Sequence, residues 1–225
     1  MGARKRERSM VNVATLEPAS MSNGPGRRYT LWVRGCSIRC SGHCINRDFA
    51  SPTPARLVEV ERLFEEIQAV EGIEGVTFTG GEPFDQATSL FHLARMLREK
   101  TSLGIMSYSG STIDELRMKG RYARKLLGEL DLLIDGPYLP SRRTPAPLLW
   151  RGSDNQRVIF LSPRYREYAH LTNKRGVSLE LGVEDSGITI SGNFDEALIS
   201  GLSEHLERHG IILGREGGGN AGIAE

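Results

Sequence analysis

Four short apolar segments, residues 29–33, 76–79, 104–108 and 131–135, each run into a turn built from glycine, serine or cysteine. The stretches between them carry helical periodicity. Leu57, Val60, Phe64 and Ile67 recur on one face of 57–67, with Glu59, Glu61, Glu65 and Glu66 mostly opposite. Leu90, Leu93, Ala94 and Leu97 do the same over 87–100. Thr112 and Glu115 stand at capping-box spacing before a third helical stretch that reaches Leu127, and Gly128 is placed to end it. Strand and helix alternating at this spacing predict a parallel sheet with crossover helices. The same topology predicts that functional loops sit at the C-terminal ends of the strands.

Further segments flank this unit. Residues 11–15 and 158–161 read as strands, 177–181 and 188–190 as a hairpin, and 194–209 as a last helix. A closed eight-unit barrel needs about 250 residues, and this chain shows about five βα-type units. The expected fold is therefore α/β: a partial, open (β/α) barrel with a C-terminal hairpin and helix. The expected organisation is a disordered basic tail (1–10), a core (11–161), a hairpin-and-helix extension (162–210) and a disordered glycine-rich tail (211–225).

The loop after the strand at 29–33 holds every cysteine in the chain: Cys36, Cys40 and Cys44, four residues apart each time. An odd, clustered set with no other thiol in the sequence reads as a metal site rather than a disulfide framework. Three thiolates can hold three irons of a 4Fe–4S cluster and leave the fourth open to a ligand from outside the protein. Zinc stays open at this point, with His43 as a nearby fourth ligand, although structural zinc sites usually use paired Cys-x2-Cys spacing. Arg39 would set a positive charge beside the loop, and Asn46 could hydrogen-bond within it to hold it closed. The net charge of +1 gives no general attraction to nucleic acid or membrane. No apolar run approaches the roughly 18 residues that a membrane span needs. The basic start lacks the apolar stretch of a secretory signal, so a cytoplasmic protein is expected, with neither nucleic acid nor membrane as a partner.

The second feature is Gly80-Gly81-Glu82-Pro83, directly after the strand at 76–79. Glycines there let backbone groups come close to a ligand, and a carboxylate beside free carbonyls can receive an ammonium group. A three-cysteine loop after one strand and Gly-Gly-Glu-Pro after the next resembles the radical S-adenosylmethionine superfamily. Within it, four stretches are similar to the activating proteins of anaerobic ribonucleotide reductase. These are Tyr29-Thr30-Leu31-Trp32-Val33-Arg34-Gly35-Cys36, Thr79-Gly80-Gly81-Glu82-Pro83-Phe84, Asp131-Leu132-Leu133-Ile134-Asp135-Gly136 and Trp150-Arg151-Gly152-Ser153-Asp154-Asn155-Gln156-Arg157. That group spaces its cysteines Cys-x3-Cys-x2-Cys, whereas this chain has one residue more before Cys44.

The resemblance implies that Cys36, Cys40 and Cys44 bind a 4Fe–4S cluster and that Gly80, Gly81 and Glu82 contact S-adenosylmethionine. Asn155 and Arg157 would bind the same cofactor or line the cleft. It further implies a glycyl radical enzyme such as anaerobic ribonucleotide reductase as partner, and a flavodoxin-like or ferredoxin-like electron donor. Two other readings compete. One is a radical maturase of a peptide or small heterocycle. The other is a non-catalytic iron–sulfur or zinc-binding interaction protein.

Overall fold

A computed structural model describes residues 9–38, 40, 44, 46–143, 148–176, 178–184, 187–193, 196–210, 213–215 and 221–223. Strands β1 (Met10–Ser20), β2 (Arg28–Val33) and β3 (Arg56–Glu59) precede helix α1 (Val60–Gln68) and strand β4 (Gly75–Gly80). Helix α2 (Ala87–Lys100), strand β5 (Gly104–Tyr108), helices α3 (Ile113–Met118) and α4 (Arg121–Leu127), and strands β6 (Leu132–Asp135) and β7 (Arg157–Phe160) follow. They form one seven-stranded sheet in the order β3-β1-β2-β4-β5-β6-β7, which ends at β3 and β7 rather than closing. The four central strands, β2, β4, β5 and β6, are parallel. The flanking pairs β1·β2, β1·β3 and β6·β7 are antiparallel.

Helices cover one face of the sheet. Leu31, Phe78, Ile105 and Leu133 meet Leu63, Ile67, Leu90, Leu97, Leu116 and Leu126 there in one buried cluster. Each such side chain contributes roughly 1.5–3 kcal/mol on burial. Alternate residues on the same strands, Met106, Leu132 and Ile134, point the other way and pack against Trp150 and Tyr165. The chain after β6 therefore folds back over the second face. Trp150 reaches its place with φ 61°, the left-handed conformation, and no other described non-glycine residue adopts a positive φ.

At the opposite end of the strands from the cysteine loop, Arg28 is fully buried without a carboxylate. Its guanidinium donates to Thr77 Oγ1, to the hydroxyl of Tyr165 and to the carbonyls of Pro25, Val76 and Gly104. That network pins β2, β4 and β5 to the returning segment, because every donor of a buried guanidinium must be satisfied.

Two expectations about elements change. Residues 56–59 are not helical: they form β3 and pair with β1, Val11 opposite Val58. Leu57 is consequently 55% exposed, and Leu63 takes the expected core position in α1. An open edge of β1 outweighs helical spacing in this segment, which local propensity cannot anticipate. The capping box at Thr112 and Glu115 forms as expected. The extension contains strands β8 (Ser178–Glu184) and β9 (Gly187–Asn193), paired as a hairpin, and helix α5 (Glu196–Glu207). Within the expected glycine-rich tail, β10 (Leu213–Arg215) pairs antiparallel with β11 (Ala221–Ile223). A two-stranded ladder needs only backbone groups, which glycine leaves unobstructed. The expected basic tail falls largely on residues 1–8, outside the described residues, and Met10 already belongs to β1. Among the described residues no helix is long and apolar enough to cross a membrane.

Candidate active site

β2 runs straight into the cysteine loop. Gly35, at φ 101°, turns the chain out of the sheet. Gly35 N donates to Phe49 O at 2.7 Å and Cys36 N to Ala50 O at 3.2 Å, so the two limbs of the loop are joined at their base. The returning limb is a short 3-10 turn, Arg47–Phe49, whose Phe49 is buried edge-on to Trp32 at 5.8 Å. Asp85 holds the outgoing limb. It accepts from Ser37 N at 2.6 Å and Ser37 Oγ at 2.8 Å, and Lys119 Nζ lies 2.7 Å from the same carboxylate. Within the loop, the Asn46 carbonyl accepts from Phe49 N at 3.0 Å, while its side chain reaches out of the loop. Its Nδ2 donates to Gly80 O at 3.1 Å, which ties the loop to the turn after β4.

That turn is packed against the start of the loop. Gly81 N donates to Val33 O at 2.8 Å and Glu82 N to Gly35 O at 2.9 Å. A Cβ on Gly81 would stand 2.2 Å from Gly35 O, and one on Gly80, at φ 98°, 2.6 Å from Val33 O. The glycines thus serve the approach of two backbone segments, and both also line the adjoining cavity. The Glu82 carboxylate is buried and already engaged. Oε1 accepts from Phe84 N at 3.0 Å and Ser109 Oγ at 2.9 Å, and Oε2 from Gly110 N at 2.9 Å. Burial holds its pKa above the ordinary carboxylate value despite these three donors. Glu82 therefore links the turns after β4 and β5.

These elements border a cavity of about 880 Å³ on the face away from the helices. Cys36, Cys40 and Cys44 all line it, as do Gly80, Gly81 and Glu82. All three thiols are free and half-buried. Burial pushes the Cys36 thiol up to about 11, and the nearby carboxylates of Glu82 and Asp85 add to the rise. Cys40 lies below the usual thiol range because the Cys44 thiol donates a hydrogen bond to it, and Cys44 is raised in turn. Ligation would release these protons, since the thiolate is the metal-binding form.

Three soft sulfur donors on one wall suit an iron–sulfur cluster or zinc. Among the described residues no three His, Cys, Asp or Glu side chains gather tightly enough to hold a single metal ion. Thiolates that each bind a separate iron of a cluster need no such common point, so the donor set is compatible with a cluster. His43 and Arg39 lie outside the described residues.

The stretch 150–157 reaches the cavity, but not through the residues expected. Arg157 and Asn155 do not line it, whereas Trp150, Arg151, Gly152 and Gln156 do. Arg157 forms a two-pronged ion pair with the buried Asp135, whose Oδ2 also accepts from Ile113 N at 2.7 Å at the start of α3. Asn155 Nδ2 donates to Pro137 O at 2.7 Å. Gln156 Nε2 donates to Gly136 O at 3.1 Å. Gln156 immediately precedes Arg157, the first residue of β7, and neighbours on extended backbone face opposite ways. Sequence reasoning also missed Trp32, Tyr108 and Tyr138 as cavity walls. Strand alternation against Leu31 marks Trp32 as facing away from the helices. No comparable signal marks Tyr138, which lies in a loop.

Comparison with known proteins identifies the family. A family model described as a 4Fe-4S single cluster domain matches residues 22–159. An anaerobic ribonucleoside-triphosphate reductase-activating protein of Haemophilus influenzae is 31% identical over 153 residues, covering 65% of this chain and 96% of the relative. Its namesake from Vibrio cholerae is 32% identical over 153 residues, with 65% and 96% covered. That of Escherichia coli K12 is 28% identical over 158 residues, with 67% and 99% covered. The chain belongs to the 4Fe-4S single cluster domain family and, within it, to the family of these activating proteins. The matched residues hold β2 to β6, the cysteine loop and most of β7; β1 precedes them, and the C-terminal hairpin and α5 lie beyond them.

Proposed function

We propose that this chain is a radical S-adenosylmethionine enzyme that activates a glycyl radical enzyme of the anaerobic ribonucleotide reductase type. The observation that carries the reading is the convergence on one cavity of three cysteines, lacking a fourth, with the Gly80-Gly81-Glu82 turn. The names of the relatives supply the partner. Cys36, Cys40 and Cys44 would hold the 4Fe–4S cluster, and Gly80, Gly81 and Glu82 would border S-adenosylmethionine. When bound and reduced by one electron, that pair would supply cleavage of the sulfonium C–S bond of S-adenosylmethionine to methionine and a 5′-deoxyadenosyl radical, which would take a hydrogen atom from a glycine of the partner. The sheet would be the partial, open (β/α) barrel of this superfamily, with residues 11–161 as its core. Four parallel strands, helices on one face and the cavity at the strand ends support that reading.

The chain's own residues set the frame for this chemistry. Asp85 and the Phe49–Gly35 contact hold the outgoing limb of the cysteine loop, and Asn46 holds the returning limb to Gly80. Glu82 fixes the turn through three donors, so the exposed backbone of the turn is oriented before any ligand arrives. Trp32, Tyr108, Tyr138 and Trp150 supply apolar walls that limit water around a reactive intermediate.

The test is anaerobic reconstitution with iron and sulfide, followed by dithionite and S-adenosylmethionine. Brown protein that yields 5′-deoxyadenosine is expected, with product lost in Cys36→Ala. A colourless protein carrying zinc, or unchanged product from Cys36→Ala, would sink the proposal.

A further inference from the structure

Residues 117–128 contain Arg117, Lys119, Arg121, Arg124 and Lys125 and no acidic residue, in a chain of net charge +1. The structure gathers four of these at the corner between α3 and α4. Arg124 reaches back to donate to Arg117 O at 3.2 Å. Arg117 pairs with Asp114 and Lys119 with Asp85. Arg121 and Arg124 have no carboxylate partner among the described residues. Met118 stands at the tip of the corner, 85% exposed, the most exposed large apolar side chain described. Lys125 turns away, over the rings of Phe91 and Tyr122. An apolar tip ringed by arginine and lysine has the anatomy of a docking surface, in which methionine and arginine are enriched.

The corner is connected to the metal-binding loop. Lys119 and Ser37 bind the same carboxylate, Asp85, and Ser37 is the neighbour of Cys36. It is also separate from the cavity. No residue of 113–128 lines the cavity, and α3 and α4 pack on the helical face through Ile113, Leu116, Ala123 and Leu126. The cysteine loop can therefore be approached from two sides, by the cavity and by this basic flank.

We propose that the α3–α4 corner, with Met118 at its tip and Arg117, Lys119, Arg121 and Arg124 around it, docks an acidic one-electron carrier protein that reduces the metal centre. The inference rests on the function proposed above, which consumes an electron from outside the chain. One electron leaves the carrier's reduced flavin or iron–sulfur group, which is oxidised by one unit, and enters the centre held by Cys36, Cys40 and Cys44. No proton or group is transferred. Opposite charge on the carrier would steer the encounter, an effect of about 10- to 1,000-fold on association at low salt.

The experiment uses the full-length, cluster-loaded protein and purified flavodoxin as the carrier. Complex formation is measured by titration with oxidised flavodoxin, and bleaching of the cluster by stopped flow with reduced flavodoxin. Arg121→Glu and Met118→Glu are the variants, because neither side chain makes a hydrogen bond or ion pair that the fold requires. Each should weaken binding and slow bleaching about tenfold or more at low salt. The Arg121→Glu defect should shrink as salt shortens the range of the field. Iron content and reduction by dithionite should be unchanged. Wild-type rates with flavodoxin in both variants would overturn the proposal. So would normal flavodoxin kinetics combined with lost binding of the glycyl radical enzyme, which would assign the corner to that partner. Failure of the functional reading shows separately, as absence of 5′-deoxyadenosine with dithionite in the wild-type protein.

Discussion

The turn Gly80-Gly81-Glu82 and the cysteine loop border the same cavity and are built in opposite ways. The turn is held throughout by the protein. Its amides meet Val33 and Gly35, its side chain takes three donors, and its glycines leave no room for a Cβ. The cysteine loop is held at its base, through Gly35, Cys36 N, Ser37 and Asn46. Its three thiols are half-buried; Cys36 Sγ donates to Ile38 O, and the Cys44 thiol donates to Cys40. Groups that recognise a ligand by hydrogen bonds must be oriented beforehand. Thiolates form strong bonds to metal, and that binding itself orders the segment carrying them.

Four substitutions would break or sharpen this contrast. Cys40→Ala should remove cluster absorbance and reduce 5′-deoxyadenosine to background, while the Tm of the apo-protein moves little. A large fall in apo Tm would show that the loop is also built to stand without metal. Gly81→Ala should do the reverse. It forces a methyl group onto Gly35 O and should destabilise the apo-protein by about 1–3 kcal/mol, a fall of several degrees in Tm. Thermal unfolding monitored by circular dichroism reads both.

Glu82→Gln comes next. It replaces an acceptor with a donor among three donors and should cost roughly 1–3 kcal/mol at neutral pH or less. The pH dependence separates its components. The folded-state pKa of Glu82 is raised by burial. The stability linked to its protonated form is thus fully present below the unfolded carboxylate pKa and is lost as pH rises through the folded value. Tm of the wild-type apo-protein should fall relative to Glu82→Gln as pH rises from about 4 to 7. A constant difference would show that desolvation is not the controlling cause. The smallest effect belongs to Asn46→Ala, which removes one hydrogen bond between the two regions, about 0.5–1.5 kcal/mol. Cluster content should be retained, and the affinity for S-adenosylmethionine, followed by the dependence of 5′-deoxyadenosine yield on its concentration, should weaken.

Much of the scaffold was legible in the sequence. The buried run of β4, the face of α2 and the capping box of α3 are local patterns, so they could be read without knowing their neighbours. Residues 56–59 could not, because pairing with β1 is a contact across more than 40 positions. At the site, the cysteines and Gly80-Gly81-Glu82 were recognisable from residue type and spacing. Asp85 was not, because nothing in the sequence joins it to Ser37. Residues 150–157 reach the cavity, yet Gln156 rather than Arg157 faces it. Arg157 is taken by Asp135, a partner visible only once β6 and β7 pair.

By itself, then, the sequence determined the alternation of strands and helices in the core and the inventory of clustered thiols. Both follow from short-range rules: hydrophobic period, capping and the count of thiols. The tertiary structure decided which backbone the glycines approach, which carboxylates are occupied and which side of the cysteine loop faces the cavity. Those outcomes depend on a 2.2 Å conflict at Gly81 and on carboxylates shared between distant turns. Such contacts are fixed by how strands register against one another, and register is a property of the assembled sheet rather than of any segment within it.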